Sequence, residues 1–372
     1  MNTTGLRGHL PLLGAAMLAL LAGLWAGLIR IGWQWPAWQP ALPFLHGPLM
    51  ISGFLGTLIS LERAVALSAA ARPGARRVWT YLAPLLTGLG GIVLLLGLPN
   101  EIGRALITLG SFVLLVAFGL IVRLRRSWDT ATMAAGALLW FLGNLLWLSG
   151  RSTGKAAVWW IGFLVLTIAG ERLDLARVLL LRRRALITHL AGIAVFLAGL
   201  ALTLWDFLSG VRVSGAGLIA MGAWLLAHDV ARRTIRQSGL TRFIAACLLP
   251  GYLWLLFAGG LWLFGNFSAG QVYDAALHSV LLGFVFSMIF GHAPIILPAI
   301  LNLPLAFHAS FYAHLLLLHV SLVIRIIGDV AASPSLRMWA GLLNAIAILL
   351  FLFNTMRTFR SARSQRPSAS TT

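Results

Sequence analysis

Apolar residues fall in twelve long blocks along the chain, and glycine, proline or charged residues separate each block from the next. A helix needs about 20 mostly apolar residues to cross the ~30 Å hydrocarbon core of a membrane. The blocks are continuous and lack the alternation of barrel strands, so they predict helices. The predicted spans are 9–31, 42–64, 78–98, 104–124, 130–149, 156–177, 186–206, 211–231, 242–265, 271–293, 304–328 and 336–357.

The composition agrees with this pattern. Of the 372 residues, 60% are hydrophobic and only 10% are charged, which is too few charges to cover the surface of a soluble domain. The sequence therefore predicts an all-α polytopic membrane protein with about 12 transmembrane helices. We expect residues 1–360 to form a single integral membrane domain and residues 361–372 to form a disordered cytoplasmic tail. A single cysteine, Cys247, excludes an internal disulfide.

The formal net charge of +19 does not indicate a nucleic-acid partner, because the basic residues lie at span ends and form no single patch. With the N-terminus inside, 21 of the 28 Lys and Arg residues fall on the cytoplasmic side. This positive-inside asymmetry predicts that both termini are cytoplasmic. We expect a multi-pass protein of the bacterial cytoplasmic (inner) membrane, with membrane lipid as the partner of its spans.

Three segments resemble one another. GFLGTLISLER begins at Gly53, GFLVLTIAGER at Gly162 and GFVFSMIFGHA at Gly283, and all three share Gly, Phe and an Ile six residues after the Gly. They fall on spans 2, 6 and 10, which predicts a threefold repeat of four-helix units. The alternative is chance, since Gly and Phe are common in this chain. Most secondary transporters have twofold repeats instead.

Two of these segments end in a charged pair, Glu62-Arg63 and Glu171-Arg172. Ionisable groups within a membrane usually face the protein interior and pair with one another. We therefore favour helix-end salt bridges that fix the packing of the spans. The alternative is a proton or ion pathway.

Three histidines on different spans are predicted to lie in the outer half of the membrane at overlapping depths: His46, His278 and His319. Neutral imidazole is a common ligand of haem iron and of copper. We predict His46 and His278 as an axial haem pair. His319 is predicted to be a copper ligand, a third haem contact or a group that orients a ligand. The alternative for each is a buried histidine that bonds to a neighbouring helix.

Charged residues near these histidines have candidate roles as well. Arg30, Arg325 and Arg337 are predicted to lie on the outer side, where an arginine can pair with haem propionates. Asp274 precedes His278 by one helical turn and either accepts a hydrogen bond from its ring or marks the membrane interface.

A second histidine group lies in FGHAPIILPAILNLPLAFH, from Phe290 to His308. This cytoplasmic link is neutral and rich in proline, so we expect it to re-enter the membrane or to line a cavity. His292 and His308 are predicted to form an inner metal site or part of a channel. The chain has no HExxH, GxSxG, P-loop or CxxC motif, so the sequence does not decide whether the protein is an enzyme.

The segments HGPLMISGF on span 2 and HSVLLGFVFSMIFGHAP on span 10 resemble the marked segments of NnrS-type membrane proteins. The predicted twelve-span architecture is also distantly similar to haem-copper oxidase subunit I. The resemblance implies His46, His278 and His292 as the marked histidines, with Met50 beside the first. It further implies haem b, copper and a role in the bacterial response to nitric oxide, a small neutral ligand.

The chain departs from true oxidases, which carry copper-site histidines on spans 6 and 7. Span 6 has no histidine here, and span 7 has only His189 near its inner end. We therefore do not expect an oxygen-reducing site. The leading hypothesis is a haem-binding, copper-associated membrane protein of NnrS type that acts in nitric oxide response or resistance. The alternatives are a secondary transporter or permease with an intramembrane Glu/His pathway, and a scaffold protein.

Overall fold

The computed structural model describes residues 3–70, 77–176, 182–265, 267, 270–301 and 307–364. Twelve helices within this part of the chain are long and apolar enough to cross a membrane, which confirms the all-α polytopic membrane fold. We number them α1 (His9–Arg30), α2 (Leu42–Ala69), α3 (Val78–Leu95), α4 (Asn100–Leu124), α5 (Trp128–Leu148), α6 (Thr153–Ala176), α7 (Arg183–Leu202), α8 (Phe207–His228), α9 (Gly239–Phe264), α10 (Gln271–Pro298), α11 (Phe311–Val330) and α12 (Pro334–Thr358).

The chain divides into two compact units, Met1–Gly217 and Leu218–Thr372, and the boundary falls within α8. In the first unit α5 packs on α4 and α6, and α1 packs on α2 and α3. In the second unit α9 packs along α10, and α11 packs along α12. The prediction of one integral domain over residues 1–360 stays a prediction.

The last helix runs on to Ser364, four residues into the predicted tail. Arginine and alanine in this segment are strong helix formers, so the helix does not stop where the membrane-spanning part ends. Residues 365–372 lie outside the described residues.

An ion pair and a hydrogen bond between helix ends show which ends lie side by side within each unit. In the first unit, Arg63 near the end of α2 bonds to Glu171 near the end of α6. In the second, Asn354 near the end of α12 donates to the carbonyl of Ser310, just before α11. We call the end of each unit at which odd-numbered helices begin the arginine-rich end, since the sequence prediction assigns 21 of the 28 basic residues to that side. The other is the arginine-poor end.

Helices α2, α6 and α10 are the most buried of the twelve. In the apolar 18-residue stretch of each helix, the buried fraction of residues is 72%, 94% and 67%, against 56% or less for every other span in the described chain. These are the three helices that carry the similar segments. The high burial explains why those segments are apolar on all sides and have little amphipathic character.

Helices α2 and α10 share a second feature, an eight-residue π-helical stretch at Leu49–Gly56 and at Ser279–Phe286. The two stretches are 230 residues apart, the same offset that separates Gly53 from Gly283. Helix α6 is α-helical over Thr153–Ala176. Two of the three similar segments, those on α2 and α10, therefore share this backbone feature. π-Helical stretches are rare and are often found at functional sites.

Candidate functional site

His46 lies at the arginine-poor end of α2, three residues before the π-helical stretch. Its Nδ1 is 2.7 Å from the carbonyl oxygen of Gly23 on α1. A carbonyl can only accept, so Nδ1 carries the proton and Nε2 keeps its lone pair in the neutral ring. That tautomer is the one a histidine needs to bind a metal through Nε2.

Glycines on α1 make room for this histidine. A Cβ on Gly27 would lie 2.6 Å from Nδ1 of His46, and a Cβ on Gly23 would lie 2.8 Å from Sδ of Met50. The two glycines are four residues apart and so share one face of α1, as in small-xxx-small helix contacts. Sequence reasoning missed this cradle, although the Gly-x-x-x-Gly spacing in α1 was a usable signal.

The π-helical stretch of α2 is buried against α5. Nε1–H of Trp140 donates to Oγ of Ser52 over 3.1 Å, and Oγ of Ser52 lies 3.5 Å from Oδ1 of Asn144. A Cβ on Gly56 would overlap the ring of Trp140. These polar contacts lie within the apolar core of the first unit, and the sequence analysis did not identify them.

His278 lies at the arginine-poor end of α10, directly before the second π-helical stretch. Its Nδ1 is 2.9 Å from the carbonyl oxygen of Asp274 and 3.3 Å from Oδ1 of the same residue. The bond to a carbonyl four residues earlier also occurs at His228, which bonds to Trp224, and is therefore not distinctive. The carboxylate contact distinguishes His278.

Asp274 belongs to a network of four charges. Nε and Nη2 of Arg325 donate to the two carboxylate oxygens of Asp274 over 2.9 and 3.1 Å. Nη2 of Arg337 lies 3.9 Å from Asp274, and its Nε lies 2.6 Å from Oδ1 of Asp329. The two negative charges of the carboxylates balance the two positive charges of the guanidinium groups. This balance accounts for the burial of Arg325 and Asp329, which are 5% and 3% exposed.

The network supplies protein partners for two of the arginines, whose predicted pairing with a haem stays a prediction. Arg325 and Arg337 were expected to pair with haem propionates, but both are already paired with carboxylates of the second unit. Arg30, the third candidate, is exposed. Of the two roles predicted for Asp274, contact with the ring of His278 is the one present in the structure.

His319 on α11 contacts residues of α9 and α10 through its two ring nitrogens. Its Nδ1 accepts from Nε1–H of Trp254 over 3.0 Å, and its Nε2 lies 3.4 Å from Oγ of Ser287. Ser287 is nine residues beyond His278 on α10, and the overlap in depth of His319 and His278 within the membrane stays a prediction. Ser287 in turn donates to the carbonyl of Cys247 over 2.7 Å. Both ring nitrogens of His319 thus bond within the protein, and its role as a metal ligand stays a prediction.

His292 and His308 flank the proline-rich link. Described residues 290–301 of this link continue the helix through Pro294 and Pro298, and residues 302–306 lie outside the described chain. Nδ1 of His292 is 2.7 Å from the carbonyl of Met288. His308 is exposed, and its Nδ1 accepts from the backbone N–H of Ser310 over 3.1 Å. Their predicted inner metal site stays a prediction.

The charged pairs at the arginine-rich end join helices. Arg63 bonds to Glu171 across α2 and α6, and its Nη2 also lies 3.4 Å from Glu62. Arg172, the neighbour of Glu171, is buried. These contacts are those expected of helix-end salt bridges that hold α2 against α6.

A second ion-pair group lies beside this one. Arg125, between α4 and α5, bonds to Asp174 and lies 2.9 Å from Asp129. The hydrogen bond to Asp174, helped by the negative charges of both carboxylates, raises the pKa of the Arg125 guanidinium above its ordinary value. Arg125 therefore stays charged and ties α5 to α6.

Among the described residues, no group of three or more His, Cys, Asp or Glu side chains is placed to hold a metal ion. A haem iron needs only one or two protein ligands, since the macrocycle supplies the rest. His46 and His278 lie in different units, and their pairing on one iron stays a prediction. Single histidines of this kind are a donor set that a haem iron could use.

The chain belongs to a family described as a domain of unknown function (DUF8744), whose profile matches residues 9–360. No curated protein matches the sequence of this chain. The match covers all twelve spanning helices, including both π-helical stretches.

Proposed function

We propose that this member of the DUF8744 family is a haem-binding membrane protein in which His46 and His278 supply iron ligands. One observation carries the proposal. Each histidine has its Nδ1 bonded to a backbone carbonyl and stands at the head of a buried π-helical stretch. A histidine that binds metal through Nε2 commonly has its other ring N–H bonded in this way.

The chain's own residues would prepare these ligands. The carbonyl of Gly23 and the glycine face of α1 orient His46, and Asp274 orients His278. The buried apolar residues of the two π-helical stretches exclude water from the helix segments that follow His46 and His278. When bound, haem b would supply an iron that transfers electrons or binds a small neutral molecule such as nitric oxide.

The NnrS-like segments support a role in nitric oxide response or resistance, since they contain His46, His278 and His292. Copper is the second candidate cofactor, with His319, His292 and His308 as its candidate ligands. We further propose that both termini face the cytoplasm of a bacterium and that the arginine-poor end faces outward. The 21-to-7 distribution of basic residues supports this orientation.

The test is the visible spectrum of the detergent-purified protein after haem-replete expression, reduced minus oxidised. We expect a b-type spectrum in the wild type that is lost in His46→Ala and in His278→Ala. His228→Ala is the matched control, because His228 makes the same type of carbonyl bond at the arginine-rich end. Its spectrum should equal that of the wild type.

The outcomes separate the alternatives. A folded, monodisperse wild type without a Soret band would overturn the haem proposal and leave the permease hypothesis. A spectrum that only one of the two histidine variants loses would assign the iron to that residue alone. Metal analysis of the same samples tests copper, which should fall in His319→Ala if His319 is a copper ligand.

A further inference from the structure

We infer that Asp274 is the positioning residue of His278 and that Arg325 holds Asp274 in place for that task. The inference rests on the proposed function, since it concerns how the second unit prepares His278 to bind iron. It assigns a role to the partly buried ion pair of Arg325 and Asp274, which the haem-ligand prediction by itself does not use.

The first step is the contact between Asp274 and His278. The two residues are four apart on α10 and therefore share one face of the helix. Nδ1 of His278 has two acceptors within reach, the carbonyl oxygen of Asp274 at 2.9 Å and Oδ1 at 3.3 Å. The carbonyl alone is enough to orient the ring. The carboxylate adds a negative charge beside Nδ1–H, which makes Nε2 a stronger electron donor.

The second step is the fixed position of the carboxylate. Arg325 binds both oxygens of Asp274 through Nε and Nη2, a two-point contact that defines the plane of the group. Arg325 is 5% exposed and Asp274 18%, so the guanidinium is largely shielded from water and the carboxylate is half-buried. Arg325 also withdraws charge from the carboxylate. Removing Arg325 should therefore make Asp274 a stronger partner for His278.

The third step is the matched residue in the same network. Asp329 pairs with Arg337, and Arg337 lies 3.9 Å from Asp274. Asp329 is thus one ion pair further along the network from His278 than Asp274 is. Replacing either aspartate with asparagine removes one negative charge from the same network, but only Asp274 contributes an acceptor to His278 in the described contacts.

The experiment is a potentiometric titration of the full-length, haem-loaded protein and three variants. Asp274→Asn keeps the carbonyl bond to His278 and removes the charge, so haem should be retained and its reduction potential should rise. Arg325→Gln should lower the potential, because the carboxylate then acts on His278 without a competing cation. Asp329→Asn should raise the potential by less than Asp274→Asn does.

Each result decides the inference. Equal shifts in Asp274→Asn and Asp329→Asn would overturn it and leave haem binding intact, because the effect would then be one of net charge alone. A spectrum that persists in His278→Ala would also overturn it. A folded wild type that binds no haem would overturn both proposals. If Asp274→Asn does not fold, Arg325→Gln is compared with Asp329→Asn, and a raised potential, or a fall no larger than the rise in Asp329→Asn, contradicts the inference.

Discussion

Gly27 of α1 faces the ring of His46 of α2 so closely that a Cβ on the glycine would lie 2.6 Å from Nδ1. The ring also bonds through that nitrogen to the carbonyl of Gly23, one turn earlier on α1. His46 is the predicted cofactor ligand of the first unit. Backbone atoms of α1 fix its ring, and the glycines of α1 leave the space that the ring occupies. Such a contact cannot adapt when a methyl group is added.

Gly27→Ala should displace the ring of His46. We expect the protein to lose most of its Soret absorbance and about 1–3 kcal/mol of stability, because the added methyl overpacks a buried contact. The absorbance spectrum and thermal unfolding in detergent measure the two effects. Gly14→Ala is the control on the same helix, since a Cβ there meets nothing within 4 Å. Equal behaviour of the two variants would show that the cradle does not hold His46.

The ion pair between Arg63 and Glu171 should act in stability and not in transport. A double-mutant cycle of Arg63→Gln and Glu171→Gln should give a coupling energy of about 1–3 kcal/mol, because the pair is partly buried and joins two core helices. Thermal unfolding of the four proteins measures it. A proton flux in vesicles that vanishes in Glu171→Gln without any loss of stability would instead support the ion pathway.

The bond from Trp254 to His319 should stabilise the second unit. Trp254→Phe keeps most of the ring and removes the N–H, so Nδ1 of His319 loses its donor. We expect a loss of about 1–3 kcal/mol of stability, the range for an unsatisfied buried acceptor. Copper content should be unchanged in this variant. If His319→Ala lowers copper content while Trp254→Phe raises it, His319 is a metal ligand with which the indole competes.

Asp206 should make the stability depend on acid pH. It lies between α7 and α8, where hydrogen bonds from the hydroxyl and backbone N–H of Ser209 lower the pKa of its carboxyl below the ordinary value. A lowered folded-state pKa stabilises the protein above the ordinary pKa, near 4, and that stabilisation is lost as the pH falls through the lower value. The unfolding midpoint of the wild type should exceed that of Asp206→Asn by more at about pH 6 than at about pH 3. A constant difference would contradict this.

Much of the fold could be predicted because a spanning helix is a local pattern. The predicted and observed spans agree within a few residues for most helices, and the largest difference is α11, which begins at Phe311 and was expected from residue 304. That segment contains Pro304 and follows a run of apolar residues, so hydropathy alone does not reveal its start. The candidate site was harder, since partners such as Gly23 and Trp254 lie on other helices, and even the Gly-x-x-x-Gly spacing of α1 does not say which residue it faces.

The sequence by itself determined that the protein is an all-α membrane protein and where its helices lie along the chain. It also identified the histidines that are candidate ligands. The length and hydropathy of a span and the arginines at its ends are local properties of the sequence, so each can be evaluated for one segment without knowledge of the others. Only the tertiary structure decided which of those side chains have partners. In the structure, Asp274 bonds to Arg325 and His319 lies beside Ser287. His46 contacts Gly23 and Gly27. These choices depend on which helix faces meet, and a rotation of a helix by one residue, about 100°, would change them all.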